Sequence, residues 1–155
     1  MRQLNLNKGV ALLGLMLLLL LTYFRENFLL EINASLASKD FDRSNTYFLS
    51  DFFGNMSKDL LIKWKWGLTA VFSLLISLIT ILSLYCWFKS VKFFKLISLF
   101  YVTLFVIVCL LAFIGFLTSS FNEIYFVLRK IVGVVQSPLP FFAFFTLFYW
   151  RSEYS

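Results

Sequence analysis

The fold is decided by residues 66–88, WGLTAVFSLLISLITILSLYCWF, the best defined of four apolar runs. Aromatic side chains mark both of its ends, with Trp66 at the start and Tyr85 and Trp87 near the close, and Lys89 follows directly. Such aromatic and basic side chains collect at the headgroup levels on either side of a helix that crosses the hydrocarbon. The pattern therefore predicts a transmembrane helix over residues 66–88.

Three further apolar runs cover residues 9–24, 96–117 and 131–150. Hydrophobic residues make up 61% of the 155-residue chain and charged residues 14%, against roughly 25% charged in an average soluble domain. Runs of this length suit lipid as the solvent rather than water. We therefore expect an all-α polytopic membrane protein, a single membrane domain over residues 1–155 with four transmembrane helices and one long loop over residues 27–63.

The first run is short for a hydrocarbon core of ~30 Å, so either its flanks reach to the interface or the helix continues past Arg25. It resembles a signal peptide, but no small-x-small cleavage site follows it, which favours an uncleaved anchor. In the loop, the apolar segments 28–30, 47–49 and 52–53 are candidates for short helices on the membrane surface.

The last run is interrupted by two prolines, Pro138 and Pro140. Each proline lacks an N–H, so we expect a kinked span over residues 131–150, with Gln136 and Ser137 as donors to the freed carbonyls. The segment 124–130 before it is expected to lie at the interface.

The positions of lysine and arginine orient these spans. Basic residues are enriched at cytoplasmic ends and in short cytoplasmic loops. The bases that one face would share are Arg2, Lys8, Lys89, Lys92, Lys95 and Arg151. We therefore expect both termini to be cytoplasmic and the loop 27–63 to be extracytoplasmic, in a membrane that is expected to be a bacterial inner membrane.

One face of the second span carries small, weakly polar side chains. They recur at spacings of four, four and three residues, as Thr69, Ser73, Ser77 and Thr80. This spacing keeps them on one helix face, and small residues let another helix approach closely. The face is predicted to pack against the protein's own helices; the alternative is a docking face for a partner.

Arg129 and Lys130 are the strongest candidates for a functional site. A basic side chain deep in hydrocarbon costs ~2.5–3.5 kcal/mol on insertion scales, so such residues are functional candidates. Together with Gln136 they are predicted to bind an anionic group or a partner. The alternative is that both bases lie at the outer headgroup level and bind lipid phosphate.

Several classes of function are excluded by what the chain lacks. It contains no His, and Cys86 and Cys109 both fall inside apolar runs without a neighbouring base, so neither a catalytic dyad nor a redox pair is predicted. We find no phosphate-binding glycine loop, metal-ligand spacing or carboxylate cluster, and expect no enzyme activity, metal or cofactor. The net charge of +6 is explained by anionic lipid headgroups rather than nucleic acid.

The C-terminal part carries a family resemblance. Tyr125 is followed by Arg129-Lys130, then by Gln136 and Pro138, then by a Phe/Leu-rich run that ends in Tyr149-Trp150-Arg151. This order resembles the small membrane proteins associated with the exosortase F system of Bacteroidota. The start of the chain agrees in kind, with one apolar run, Arg25-Glu26-Asn27 and a loop rich in aromatics and Asp. The resemblance implies an accessory to a membrane-embedded cysteine transpeptidase that sorts exported proteins.

The sequence thus favours a non-catalytic accessory or assembly subunit that packs against a larger membrane protein. The alternative is a small homo-oligomeric transporter or a pore- or hole-forming membrane protein. A pore needs polar faces on several helices, and only the second span shows one.

Overall fold

The computed structural model describes residues 2–37, 52–53, 55–118 and 121–153. Over these residues the chain is helical and forms no strand, which confirms the all-α class. The helices are α1 (Arg2–Ala37), α2 (Lys58–Phe88), α3 (Val91–Leu117), α4 (Phe121–Val135) and α5 (Leu139–Glu153).

The first three helices are each long and apolar enough to cross a membrane, over Asn7–Ala37, Lys58–Phe88 and Val91–Gly115. The pair Ile124–Val135 and Leu139–Arg151 meets the same test together and is bent by 51°. The chain therefore has the helices of a membrane protein, with three candidate spans, or four if the bent pair is one span.

Two helices extend beyond the apolar runs that predicted them. α1 continues past Arg25 to Ala37, and α2 begins at Lys58, so both ends of the predicted loop 27–63 are helical. The segment 28–30 is therefore part of α1, and Phe52 and Phe53 have helical backbone. The middle of that loop, with the segment 47–49, lies outside the described residues. The extension is stabilised by an apolar contact, because Ile32 is buried with Phe53 and Leu61.

α2 is the central helix and contacts each of the other four. Its most extensive contact is with α1, which runs antiparallel to it: Lys8 lies beside Trp87, Gly14 beside Ser83 and Phe28 beside Phe72. A Cβ atom at Gly14 would overlap the Ser83 hydroxyl and lie 3.1 Å from its Cβ. A side chain at position 14 would therefore force Ser83 or the spacing of the two helices to shift.

Aromatic side chains fill the end of the bundle where α2 meets α3 and α5. The rings of Phe93 and Phe148 stack with their centroids 4.1 Å apart, and Phe88 packs edge-on against both. Between α2 and α3, Lys89 adopts a left-handed backbone conformation with φ 50°, and its N–H donates to Tyr85 O. This tight turn lets α3 fold back along α2.

The break between α4 and α5 lies at the position where the prolines predict a kink. Pro138 has no N–H for the Val134 carbonyl, which accepts instead from Ser137 N at 3.2 Å and Ser137 Oγ at 2.8 Å. Pro140 lies in the first turn of α5, where no intrahelical N–H donor is needed. Ser137 therefore supplies the expected local donor. Gln136 does not, because its amide reaches across to α2.

Candidate functional site

A partly open cavity of about 220 Å³ lies between three helices, beside residues 65–69 of α2. Its polar lining comes from α1, α2 and α4, and includes Arg25, Glu26, Asn33, Lys65, Arg129 and Gln136. α1 contributes Arg25, Glu26 and Asn33 to this lining, and α2 contributes Lys65 and Thr69. α4 adds Arg129, which lies one helical turn after Tyr125, a residue that contacts the same part of α2.

The cavity is positively charged. Its three basic side chains, Arg25, Lys65 and Arg129, face a single acid, Glu26, so the wall carries three positive charges and one negative charge, a net +2. Arg25 is repelled by Arg129 and attracted by Glu26. Like charges that share a cavity raise the free energy of the empty site, and an anion between them lowers it.

Two buried polar atoms in the lining are unsatisfied. Within the described residues, Arg25 Nε and Gln136 Oε1 are buried and have no hydrogen-bond partner. A buried polar atom without a partner costs about 1–3 kcal/mol, more when the group is charged. The Arg25 donor would be satisfied by an oxygen of an anion, and the Gln136 acceptor by a hydroxyl or a bound water.

Gln136 joins the break after α4 to the polar stripe of α2. Its Nε2 donates to Thr69 O at 2.7 Å and to Ser73 Oγ at 2.6 Å, and the residue is fully buried. The Thr69 carbonyl, which already accepts from the Ser73 hydroxyl within α2, thus accepts a further donor from outside the helix. Gln136 therefore fixes the position of α4 against α2 at the edge of the cavity.

The predicted stripe faces the interior of the bundle. Ser73, Ser77 and Thr80 are buried and Thr69 is half-buried. The hydroxyls of the first three stripe residues also donate to carbonyls of α2 itself, Thr69 to Lys65 O, Ser73 to Thr69 O and Ser77 to Leu74 O. These local bonds satisfy the hydroxyls where the helices pack closely.

The three residues predicted to bind an anion do not lie together. Arg129 and Gln136 both line the cavity, whereas Lys130 is not part of its lining. Lys130 Nζ lies 4.3 Å from the centre of the Phe126 ring, a cation–π contact on a different face of α4. Neighbouring residues on a helix point about 100° apart, and of the two bases only Arg129 lines the cavity.

Three charged residues of the cavity, Arg25, Glu26 and Lys65, were not predicted as site residues. A signal for Lys65 was present in the sequence, because it precedes Thr69 by four residues and so extends the spacing of the stripe by one turn. Arg25 closes the first apolar run, but no sequence spacing links it to α4.

An aromatic pair closes the side of the cavity between α2 and α4. Trp66 and Tyr125 meet edge-to-face with their ring centroids 5.9 Å apart, and Lys65 Nζ lies 5.9 Å from the centre of the Tyr125 ring. Such contacts hold the first turns of α2 against the first turns of α4.

Among the described residues, no group of three or more His, Cys, Asp or Glu side chains could hold a metal ion. What the cavity can do chemically is bind an anion by charge and by the guanidinium donors of two arginines. Comparison of the chain with family models, curated proteins and solved structures finds no match.

Proposed function

We propose that the chain crosses a bacterial inner membrane four times, with both termini in the cytoplasm and α4 and α5 forming one broken span. Contacts at the two ends of this pair support a single crossing. Tyr125 of α4 packs on Trp66 near the start of α2, and Phe148 of α5 packs on Phe88 at the end of α2. Together, α4 and α5 thus extend along most of α2. In this orientation the basic cavity opens toward the extracytoplasmic side.

Within that topology, the chain acts as a non-catalytic accessory subunit of a larger membrane protein complex, and the cavity binds an anionic ligand. The observation that carries this proposal is the convergence of Arg25, Lys65 and Arg129 on one cavity with a single acid. Three helices far apart in sequence each contribute a base, which a general attraction to headgroups would not require.

The packing beyond the cavity supports a binding site rather than a pore. Below Gln136 the bundle is packed with an apolar cluster that includes Ile76, Val135 and Phe141, and the buried hydroxyls of the stripe there lie on α2 alone. A conduction path would need polar side chains on several helices through this region. The cavity therefore supports the binding site of an accessory subunit rather than a conduction path.

The resemblance to exosortase-associated proteins names the class of partner, a membrane-embedded cysteine transpeptidase that sorts exported proteins. The test is deletion of the gene in its native host, combined with purification of the tagged chain from native membranes in mild detergent. We expect the transpeptidase to co-purify and its substrates to accumulate unsorted in the deletion strain. Normal sorting in that strain, with the chain purifying as a homo-oligomer, would overturn the proposal.

A further inference from the structure

We propose that the anion held by the cavity is the phosphate of a lipid, in a form that carries close to two negative charges, as a phosphomonoester or a diphosphate does. This inference rests on the proposed anion-binding function of the cavity and specifies the ligand. Charge, volume and the apolar part of the lining each contribute to it.

The net charge of the cavity wall favours a ligand that carries two negative charges. Arg25, Lys65 and Arg129 against Glu26 leave a net +2, which a phosphodiester with its single negative charge neutralises only in part. A phosphomonoester has a second pKa near 6 and carries about −1.5 to −2 at pH 7. Two arginines also present planar donor forks that match phosphate oxygens.

The volume of the cavity fits the headgroup of a lipid but not the whole lipid molecule. Pockets that enclose a drug-sized ligand measure about 300–1,000 Å³, whereas this cavity measures about 220 Å³. A phosphate group with its first linked atoms fits such a space. The acyl or prenyl part of a lipid would have to remain outside, in contact with the bilayer.

The apolar side of the cavity provides a path for that part. Leu29 and Leu30 of α1 and Leu128 and Val132 of α4 line the cavity beside the bases. Leu128 is buried, but Leu30 is 49% exposed on the outer surface of α1. The apolar wall therefore continues onto the surface that faces lipid, and an amphiphile can place its phosphate among the bases and its chains along α1. A soluble anion would gain nothing from this wall.

The test uses the full chain purified into phosphatidylcholine nanodiscs, with bound lipid measured by native mass spectrometry. Phosphatidic acid, a phosphomonoester lipid, and phosphatidylglycerol, a phosphodiester lipid, are supplied at equal amounts. We expect phosphatidic acid to be retained about tenfold more strongly. Arg129→Gln should lower its retention about tenfold, and Lys130→Gln, which removes the adjacent base outside the cavity, should leave it unchanged.

Three results would overturn the inference. Equal retention of the two lipids would show that a second charge is not recognised. Equal losses of phosphatidic acid retention in Arg129→Gln and Lys130→Gln would show that the lipid adsorbs to the basic surface of the protein. Displacement of the lipid by inorganic pyrophosphate at the affinity of the lipid itself would show a site for soluble anions. The proposed accessory role fails separately, through normal sorting in the deletion strain, so the two failures are distinguishable.

Discussion

The Gln136 side chain donates from Nε2 to Ser73 Oγ across 2.6 Å, and so ties the break between α4 and α5 to the middle of α2. The two residues are 63 positions apart in the chain, and both are buried. Backbone that is broken at membrane depth needs protein around it to satisfy its polar groups. In the proposed four-span topology, the interior face of α2 provides that environment.

This contact predicts measurable coupling between the two side chains. In a double-mutant cycle of Gln136→Leu and Ser73→Ala, we expect a coupling free energy of about 0.6 kcal/mol, with about 1.7 as the upper limit found for such bonds in membranes. The measurement is reversible unfolding of each variant in mixed micelles. Strictly additive effects of the two substitutions would contradict a direct bond.

The stripe on α2 predicts that bulk is not tolerated on its face. Replacing Ser73 and Ser77 by Leu should separate α2 from its neighbours and lower stability, because both side chains are buried and overpacking costs about 1–3 kcal/mol per site. Ala70→Leu is the matched control, since Ala70 lies on the exposed side of the same helix. The measurement is the thermal stability of both variants in detergent. A stripe variant as stable as the Ala70→Leu control would mean that the stripe faces lipid.

The close approach of α1 to α2 predicts a cost for any side chain at Gly14. Gly14→Ala places a methyl group against the Ser83 side chain, so we expect a loss of about 1–3 kcal/mol. Gly9→Ala in the same helix meets nothing within 4 Å and should be neutral or slightly stabilising. Adding Ser83→Gly to Gly14→Ala should restore part of the loss, and no recovery would mean that the two residues do not limit the approach.

Arg129 is predicted to be required for function through the geometry of its guanidinium group. Arg129→Lys should reduce sorting by the partner about tenfold, because Lys retains the charge but not the planar fork. Arg129→Leu should reduce sorting further, with membrane insertion unchanged. Lys130→Leu is the control, and pulse-labelled sorting intermediates are the measurement. Full activity of Arg129→Lys would refute specific recognition and leave a headgroup anchor as the role of this residue.

The proposed topology predicts which side of the membrane each end of α2 faces. In a chain without Cys86 and Cys109, Ser57→Cys should react with an impermeant maleimide added to intact cells. Ser90→Cys, at the other end of α2, should react only after permeabilisation. Both serines precede helices without a side-chain capping bond, so their replacement leaves the helix starts intact. The reverse labelling pattern would contradict cytoplasmic termini.

The apolar runs predicted helix ends correctly where the helix ends together with the apolar run. The predicted span 66–88 and α2 end at the same residue, Phe88. Hydropathy reports burial in lipid, however, and not helicity. The charged turns at the start of α2 and the end of α1 are therefore helical without being apolar, and a loop was predicted in their place.

The residues that line the cavity could be predicted only in part from the sequence. Arg129 and Gln136 stood out because a base and an amide beside prolines are unusual in an apolar run. Arg25 did not, because its distance from Arg129 depends on the register of α1 against α2, which the contact of Gly14 with Ser83 determines. Periodicity identifies which residues share a helix face but not which residue of a second helix faces them.

The central position of α2 has a consequence for biosynthesis. The ribosome delivers the helices in chain order, so α1 and α2 leave it well before α4 and α5 do. The antiparallel helices α1 and α2 can pack together, with Gly14 beside Ser83, as soon as both have been inserted. The acceptors that receive Gln136, the Thr69 carbonyl and the Ser73 hydroxyl, both belong to this helix pair. In the proposed four-span topology, the broken span formed by α4 and α5 thus enters a bilayer in which its polar partner is already in place.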